Sequence, residues 1–322
     1  MKVLILSCNT GGGHNGAARA IAEEFESRGI ECFVENALSF AVKPEEDIIV
    51  DGYAFAFNRL PGVWKAGYTY AEEHSAYPMY LNFAKYATPL KRYIEHGGYD
   101  IVICTHIFAA HMMTRVRRKY ALPVRQYFVC TDYSCSPGYE LPEVDRLFIP
   151  RELTNEFLFH GVPASRLFEV GIPVRTACYE PVSKEFAREA LHAEMAIAPD
   201  CRMVAAAPGC LEAPDIKRLV SALPEDLSDT VFLIITGKEN VNFRRQISRM
   251  ANPRVKALSY TTHMDLWMKA ADLLITKPGG LTSTEAMSCG VPIILMDVKP
   301  GLETHNPTIA YHIEKINQRF LN

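Results

Sequence analysis

The residues with the most chemical potential gather at two glycine turns, Gly11-Gly12-Gly13-His14-Asn15-Gly16 and Lys277-Pro278-Gly279-Gly280-Leu281-Thr282-Ser283-Thr284-Glu285. A glycine turn that opens a helix presents backbone amides at the positive end of the helix dipole, which suits a phosphate or a sugar. His14 adds an imidazole, the side chain most often used as a general base. In the second turn, the hydroxyls of Thr282, Ser283 and Thr284 can join the amides around a diphosphate. Glu285, one turn in, can accept two hydrogen bonds from vicinal ribose hydroxyls. A plain helix start with a capping box from Thr282 to Glu285 accounts for the same residues without a ligand.

The first turn also satisfies a second pattern. Gly11-x-Gly13-x-x-Gly16 fits the dinucleotide fingerprint, and Glu35 follows the next strand about 20 residues on, where an NAD ribose acceptor belongs. The bulk of His14 weighs against it, because the chain should run tight to a pyrophosphate there. The dehydrogenase reading stays open on this stretch alone.

Two further strands carry candidates. Asp100 to Thr105 delivers His106 to the C-terminal edge of a sheet, where open α/β folds bind ligands. A helix-capping or core histidine is the competing account. Gln126 to Cys130 brings Thr131-Asp132-Tyr133 to the same edge and sets the Asp132 carboxylate beside the reaction centre.

The elements that must hold these residues alternate. An apolar strand from Val3 precedes a helix from His14, with Ala17, Ala18, Ile21, Ala22 and Phe25 at helical spacing. Strands and helices alternate again after a Pro/Gly-bounded connector, through Met203–Ala207, Val231–Thr236, Val255–Leu258, Asp272–Thr276 and Val291–Met296. The pattern predicts two doubly wound parallel α/β sheets, with an N-terminal domain over 1–172, a linker over 173–181 and a C-terminal domain over 182–322. Between Phe40 and His96 the chain is rich in aromatic residues with interspersed cations. These either pack helices onto the sheet or face a lipid headgroup layer. Arg115-Val116-Arg117-Arg118-Lys119 ends a helix, as a solvated cap or as a contact with an anionic membrane.

Composition narrows the classes. The hydrophobic share of 48% and charged share of 22% are those of a globular protein, and a net charge of −3 gives no reason to expect nucleic acid. No apolar run reaches the roughly 18 residues that span a bilayer, and no secretory signal is expected. The nine cysteines form no Cys-x-x-Cys pair, so reduced, buried thiols and a cytoplasmic setting are expected, with no zinc site. Cys130 and Cys135 are the one spacing that suggests a redox pair.

Taken together, Leu274-Ile275-Thr276-Lys277-Pro278-Gly279-Gly280-Leu281-Thr282-Ser283-Thr284-Glu285-Ala286, Gly290-Val291-Pro292 and Pro300-Gly301-Leu302-Glu303-Thr304-His305-Asn306 resemble the donor-site signature of GT-B glycosyltransferases. The nearest group is the monogalactosyldiacylglycerol synthase and processive diacylglycerol glucosyltransferase family, related to the N-acetylglucosaminyl transferase that makes lipid II. Asn9-Thr10-Gly11-Gly12-Gly13-His14-Asn15-Gly16-Ala17-Ala18, Thr105-His106 and Thr131-Asp132-Tyr133 resemble the same family's acceptor side.

The resemblance implies a fold of two Rossmann-like domains facing a cleft. It further implies inverting, metal-independent transfer of a hexose from UDP-glucose or UDP-galactose, a substrate rather than a cofactor, to a diacylglycerol-type lipid. His14 would be the base, and Asp132 would orient it or bind the acceptor. Gly12, Gly13, Asn15, His106 and Tyr133 would line the acceptor site. Gly209, Lys277, Gly279, Gly280, Leu281, Thr282, Glu285, Glu303 and Asn306 would line the donor site. The protein would work in the cytoplasm, peripheral on the inner face of the cell membrane and in contact with anionic lipid.

Three departures from the family accompany the match. The loop Ala206-Ala207-Pro208-Gly209-Cys210 has a single glycine, Leu302 replaces a polar residue, and the C-terminal domain is expected to be truncated. The same fold with a polyprenyl-linked acceptor, or a nucleotide-sugar-binding member impaired in turnover, are the alternatives.

Overall fold

Strand β1 (Lys2–Ser7) is apolar on both faces, and each face joins a different cluster. Val3 and Ile5 pack in one cluster with Ala18 and Ala22 of helix α1 (Gly12–Ser27). Leu4 and Leu6 belong to the other, with Leu90 and Ile94 of α3 (Ala87–Gly97) and Met112 and Met113 of α4 (Ile107–Tyr120). A strand covered on both sides reads as a continuous apolar run, because consecutive side chains point to opposite helical layers. The computed structural model describes residues 1–9, 12–40, 60–74, 80, 86–195, 200–207, 213–221, 229–236 and 240–296.

The chain divides between Thr176 and Ala177 into two compact units. The first contains a six-stranded parallel sheet in the order β2-β1-β3-β4-β5-β6. Its further strands are β2 (Glu31–Asn36), β3 (Ile101–Cys104), β4 (Arg125–Val129), β5 (Arg146–Ile149) and β6 (Leu167–Glu169). Chain order reverses between β1 and β3, so the crevice of this sheet opens beyond the C-terminal ends of those two strands. Helices α2 (Pro61–Glu73) and α5 (Thr154–Phe159) also belong to this unit.

Helix α6 (Thr176–Tyr179) begins at the boundary, inside the stretch expected to be a linker. The second unit carries a five-stranded parallel sheet in the order β11-β10-β7-β8-β9. Its strands are β7 (Arg202–Ala206), β8 (Thr230–Ile235), β9 (Val255–Leu258), β10 (Leu273–Thr276) and β11 (Ile293–Leu295). The helices are α7 (Lys184–Met195), α8 (Ala213–Ser221), α9 (Val241–Arg249), α10 (Met264–Ala270) and α11 (Gly280–Cys289). Here the order reverses between β7 and β10. Ala206, Phe232, Ile234 and Ile275 of the sheet cluster with Ile216 of α8 and Ile247 of α9.

Two polar anchors tie the start of this unit to its sheet and to helix α10. Asp272 receives Arg188, Lys184 and the amide of Met203 at 2.7 to 2.9 Å. The buried Lys269 ammonium donates to the carbonyls of Ala177 and Glu180 at 2.5 and 2.8 Å.

Other expectations meet the structure here. Cys8, Cys104, Cys130 and Cys135 are free and buried, so Cys130 and Cys135 form no disulfide, and burial pushes both their thiols up. Arg117 and Arg118 at the end of α4 pair with Asp145 and Glu143, which is the structural account of that basic run. Among the aromatics, Tyr86 is buried and Tyr80 and Tyr93 pack on the core, whereas Tyr70 is 60% exposed. Tyr53, Phe55, Phe57, Tyr77 and Phe83 lie outside the described residues. No helix among the described residues is long and apolar enough to cross a membrane.

Candidate active site

The first sheet reverses where β1 and β3 end, and the chemistry-bearing residues of the first unit stand there. His14 lies in the first turn of α1, Thr105 directly follows β3, and Thr131 follows β4. Parallel pairing of Leu6 with Cys104 and of Cys104 with Phe128 sets these ends side by side. The imidazole Nδ1 of His14 lies 3.0 Å from the carbonyl oxygen of Thr105 and 2.7 Å from the hydroxyl of Thr131. The Thr105 hydroxyl donates in return to the His14 carbonyl at 3.1 Å. A carbonyl only accepts, so the bond to Thr105 requires the proton on Nδ1. The Nε2 lone pair is then available to take a proton.

Among the described residues Asp132 makes no hydrogen bond to His14. Its Oδ2 accepts from the Tyr139 hydroxyl at 3.3 Å, and the contacts to the imidazole come from Thr105 and Thr131 instead. His106 is the N-cap of α4, its Nδ1 accepting from the Phe108 amide at 3.1 Å. It is 4% exposed and meets the His14 ring edge-on at 4.4 Å, so the capping account applies to a residue that also packs against His14. Burial, and then the neighbouring His14, push His106 well below the ordinary histidine range, so it stays neutral.

The glycines behave differently from a free turn. Helix α1 already begins at Gly12, so Gly12 and Gly13 supply amides of its first turn, whereas the helical period alone starts the helix at His14. A Cβ on Gly12 would meet no described atom within 4 Å, so packing within the described residues does not demand glycine there. Asn15 accepts from Ser7 at 2.6 Å and donates to Asn9 at 2.9 Å, tying the helix start to the end of β1. Tyr133 is buried at 7% exposure. Glu35, which a dinucleotide would recruit for its ribose, accepts the Tyr93 hydroxyl at 2.8 Å.

In the second unit, β10 ends at the corresponding reversal and α11 starts beyond it. Gly279 is the N-cap with extended backbone and no side-chain cap bond, so the Thr282–Glu285 capping box does not form. The Ser283 amide reaches back to the Gly279 carbonyl at 3.1 Å. The amides of Gly280, Leu281 and Thr282 therefore precede the first helical hydrogen bond, at the positive end of a ten-residue helix. Gly280 and Leu281 are buried, while Lys277, Thr282 and Glu285 are half-buried. The Thr284 hydroxyl is spent on the Gly280 carbonyl at 2.6 Å. The Ser283 hydroxyl is fully buried and has no hydrogen-bond partner among the described residues. Gly209, Glu303 and Asn306 lie outside the described residues.

Comparison with solved structures defines the class. The fold matches Acinetobacter baumannii MurG with a TM-score of 0.57 at 17% identity, covering 99% of this chain and 90% of that one. It matches Anabaena HepE, solved with UDP-glucose, with a TM-score of 0.55 at 12% identity, covering 98% and 91%. Two parallel-sheet domains of this kind are the GT-B architecture.

Within that class, the family model described as monogalactosyldiacylglycerol (MGDG) synthase matches residues 14–174, half of the chain. The glycosyltransferase family 28 C-terminal domain matches residues 204–306. The chain belongs to the monogalactosyldiacylglycerol synthase family of glycosyltransferases, and that membership displaces the dinucleotide reading of the first glycine turn. A processive diacylglycerol beta-glucosyltransferase of Staphylococcus epidermidis is 25% identical over 318 residues, 97% of this chain and 79% of the relative. A probable monogalactosyldiacylglycerol synthase 2 of Oryza sativa subsp. indica is 28% identical over 323 residues, covering 95% and 68%.

Proposed function

We propose that the protein transfers a hexose from a UDP-sugar to the hydroxyl of a diacylglycerol-type lipid, with inversion at the anomeric carbon and without a metal ion. The observation that carries this reading is the state of His14. Its Nδ1 faces two oxygens and leaves Nε2 as a base at the mouth of the first sheet. In the reaction Nε2 takes the lipid hydroxyl proton as the oxygen bonds to the anomeric carbon. The carbon–oxygen bond to UDP breaks, and its electron pair leaves on the diphosphate. A single displacement of this kind inverts the anomeric centre. The amides of Gly280 to Thr282 and the dipole of α11 would carry the developing charge of the leaving group, the role a metal plays elsewhere. Glu285 would hold the ribose, with Lys277, Gly279 and Leu281 around the nucleotide. Glu303, Asn306 and Gly209 would meet the sugar. Asp132, freed from orienting His14, would bind the acceptor beside Gly12, Gly13, Asn15 and Tyr133, with His106 walling the base.

The acceptor is a lipid, so the protein would work as a peripheral protein on the cytoplasmic face of an anionic membrane. An exposed stripe supports this: Leu60, Val63 and Tyr70 are 44%, 65% and 60% exposed, with Gly67 completing one residue per turn along α2. The experiment combines labelled UDP-glucose or UDP-galactose with diacylglycerol vesicles in the presence of EDTA. A glycolipid with a β-linkage from an α-linked donor supports the reading. Loss of product on chelation with recovery on added Mg²⁺ refutes the metal-free part, and an α-linked product refutes inversion.

A further inference from the structure

We propose that Thr131 is a positioning residue that holds His14 as the Nδ1–H tautomer with Nε2 directed to the acceptor. The claim deepens the base role given to His14 above and rests on it.

Histidine bases are commonly steered by a carboxylate on the far nitrogen, which fixes tautomer and ring plane together. Among the described residues no carboxylate makes that contact here. Asp132, the neighbouring acid, is engaged with Tyr139. What faces Nδ1 is a pair of neutral oxygens, the Thr105 carbonyl at 3.0 Å and the Thr131 hydroxyl at 2.7 Å. The carbonyl has no proton to give, so it selects the Nδ1–H form only while the imidazole stays turned toward it, and a ring that swings away returns to a mixture of tautomers. Alone the carbonyl leaves the imidazole able to swing about the bond to Cβ. The second acceptor comes from a different strand and is 3% exposed, so it fixes the ring plane from another direction.

Thr131 is itself held firmly. The preceding Cys130 donates its amide to Phe148 at 2.8 Å, extending the β4–β5 pairing, and its thiol reaches the Asp132 carbonyl at 3.1 Å. The hydroxyl therefore stands two residues beyond β4, next to backbone still paired with β5, which restricts where it can move. A neutral support also suits the step, because the imidazole becomes cationic only while the proton is on it. Both oxygens then accept a stronger, charge-assisted bond at the moment of transfer.

The test pairs Thr131→Val, which keeps the volume and deletes the oxygen, with Thr131→Ser, which restores it. In Thr131→Val, kcat should fall about 10- to 100-fold, the scale of a misaimed base. UDP affinity and the KM for lipid should stay within about twofold, since neither substrate loses a contact. Thr131→Ser should recover most of kcat. Nitrogen-15 NMR of the imidazoles should show His14 as the Nδ1–H form in the wild type and a mixture of tautomers in Thr131→Val. If Thr131→Val does not fold, Thr131→Ala enters the same comparison.

An unchanged kcat in Thr131→Val overturns the proposal, as does a Thr131→Ser variant that is equally impaired. So does a His14 tautomer that is mixed in the wild type or unmoved by the substitution. The NMR arm needs no turnover. If the wild type transfers no sugar at all, the base role of His14 falls, while the tautomer measurement still decides for or against Thr131.

Discussion

His14 and Thr105 hold each other twice: the imidazole Nδ1 donates to the Thr105 carbonyl at 3.0 Å, and the Thr105 hydroxyl donates to the His14 carbonyl at 3.1 Å. One residue opens α1 after β1 and the other closes β3, so the pair clasps the two strands at the point where the sheet changes direction. Deleting only the Thr105 hydroxyl removes half of the clasp. Thr105→Val should cost about 1 kcal/mol, a typical net hydrogen bond, and should leave the carbonyl that sets the tautomer. The expected outcome is a fall in melting temperature of about 2–4 °C with less than a tenfold loss of kcat. Thermal melts alongside rates check both.

The donor side makes an opposite demand of a hydroxyl. Ser283 is fully buried at the start of α11 without a hydrogen-bond partner among the described residues, an arrangement that costs stability unless a ligand completes it. Ser283→Ala should leave the melting temperature unchanged or slightly higher and weaken UDP binding about 3- to 10-fold, the worth of one hydrogen bond. Calorimetric titration with UDP reads the second effect.

A third prediction concerns acid. His111 lies under the ring of Tyr80, stacked at 3.9 Å, and burial pushes it from 6.5 down to about 4. It is neutral in the fold and charged in the unfolded chain between those values, so the unfolded state binds more protons there. Its burial contributes stability above pH 6.5 that is lost as pH falls toward 4, on the order of 3 kcal/mol, and His106 acts in the same direction. Urea unfolding of wild type and His111→Phe at pH 7 and pH 4 should show a smaller loss in the variant.

The fourth prediction bears on the membrane. Val63 and Tyr70 are exposed one above the other on α2, so Val63→Glu with Tyr70→Glu should reduce sedimentation with phosphatidylglycerol vesicles severalfold. UDP affinity should not move.

Much of this was open to reading in the chain itself, and the exceptions are instructive. Doubly apolar strands such as Leu4–Leu6 and Val102–Cys104, with glycine before a helical period, make a two-sided parallel sheet the natural reading. The site at its edge was harder. Asp132 attracts attention as the only acid in Thr131-Asp132-Tyr133, yet the oxygens on His14 are a threonine hydroxyl and a main-chain carbonyl. A carbonyl has no side-chain signature, and only the parallel register of β1, β3 and β4 makes it a neighbour. Thr131 stands in the motif without a distinguishing signal, because threonine beside a strand end is equally well explained by β-propensity. His106 is a less usual N-cap, where serine, threonine or aspartate lead, so the sequence leaves capping as one account among others and the hydrogen bond from Phe108 decides for it. The capping box from Thr282 to Glu285 had the right spacing but the wrong frame, because the helix starts earlier, at Gly280.

The base assignment is tested most directly by following label from UDP-glucose and UDP-galactose into diacylglycerol with wild type and His14→Ala, together with UDP binding by both. The account predicts glycolipid from the wild type, a loss of about 10²- to 10⁴-fold in His14→Ala, and UDP affinity unchanged within about twofold. A His14→Ala variant that loses UDP binding while keeping its rate per bound donor would contradict it.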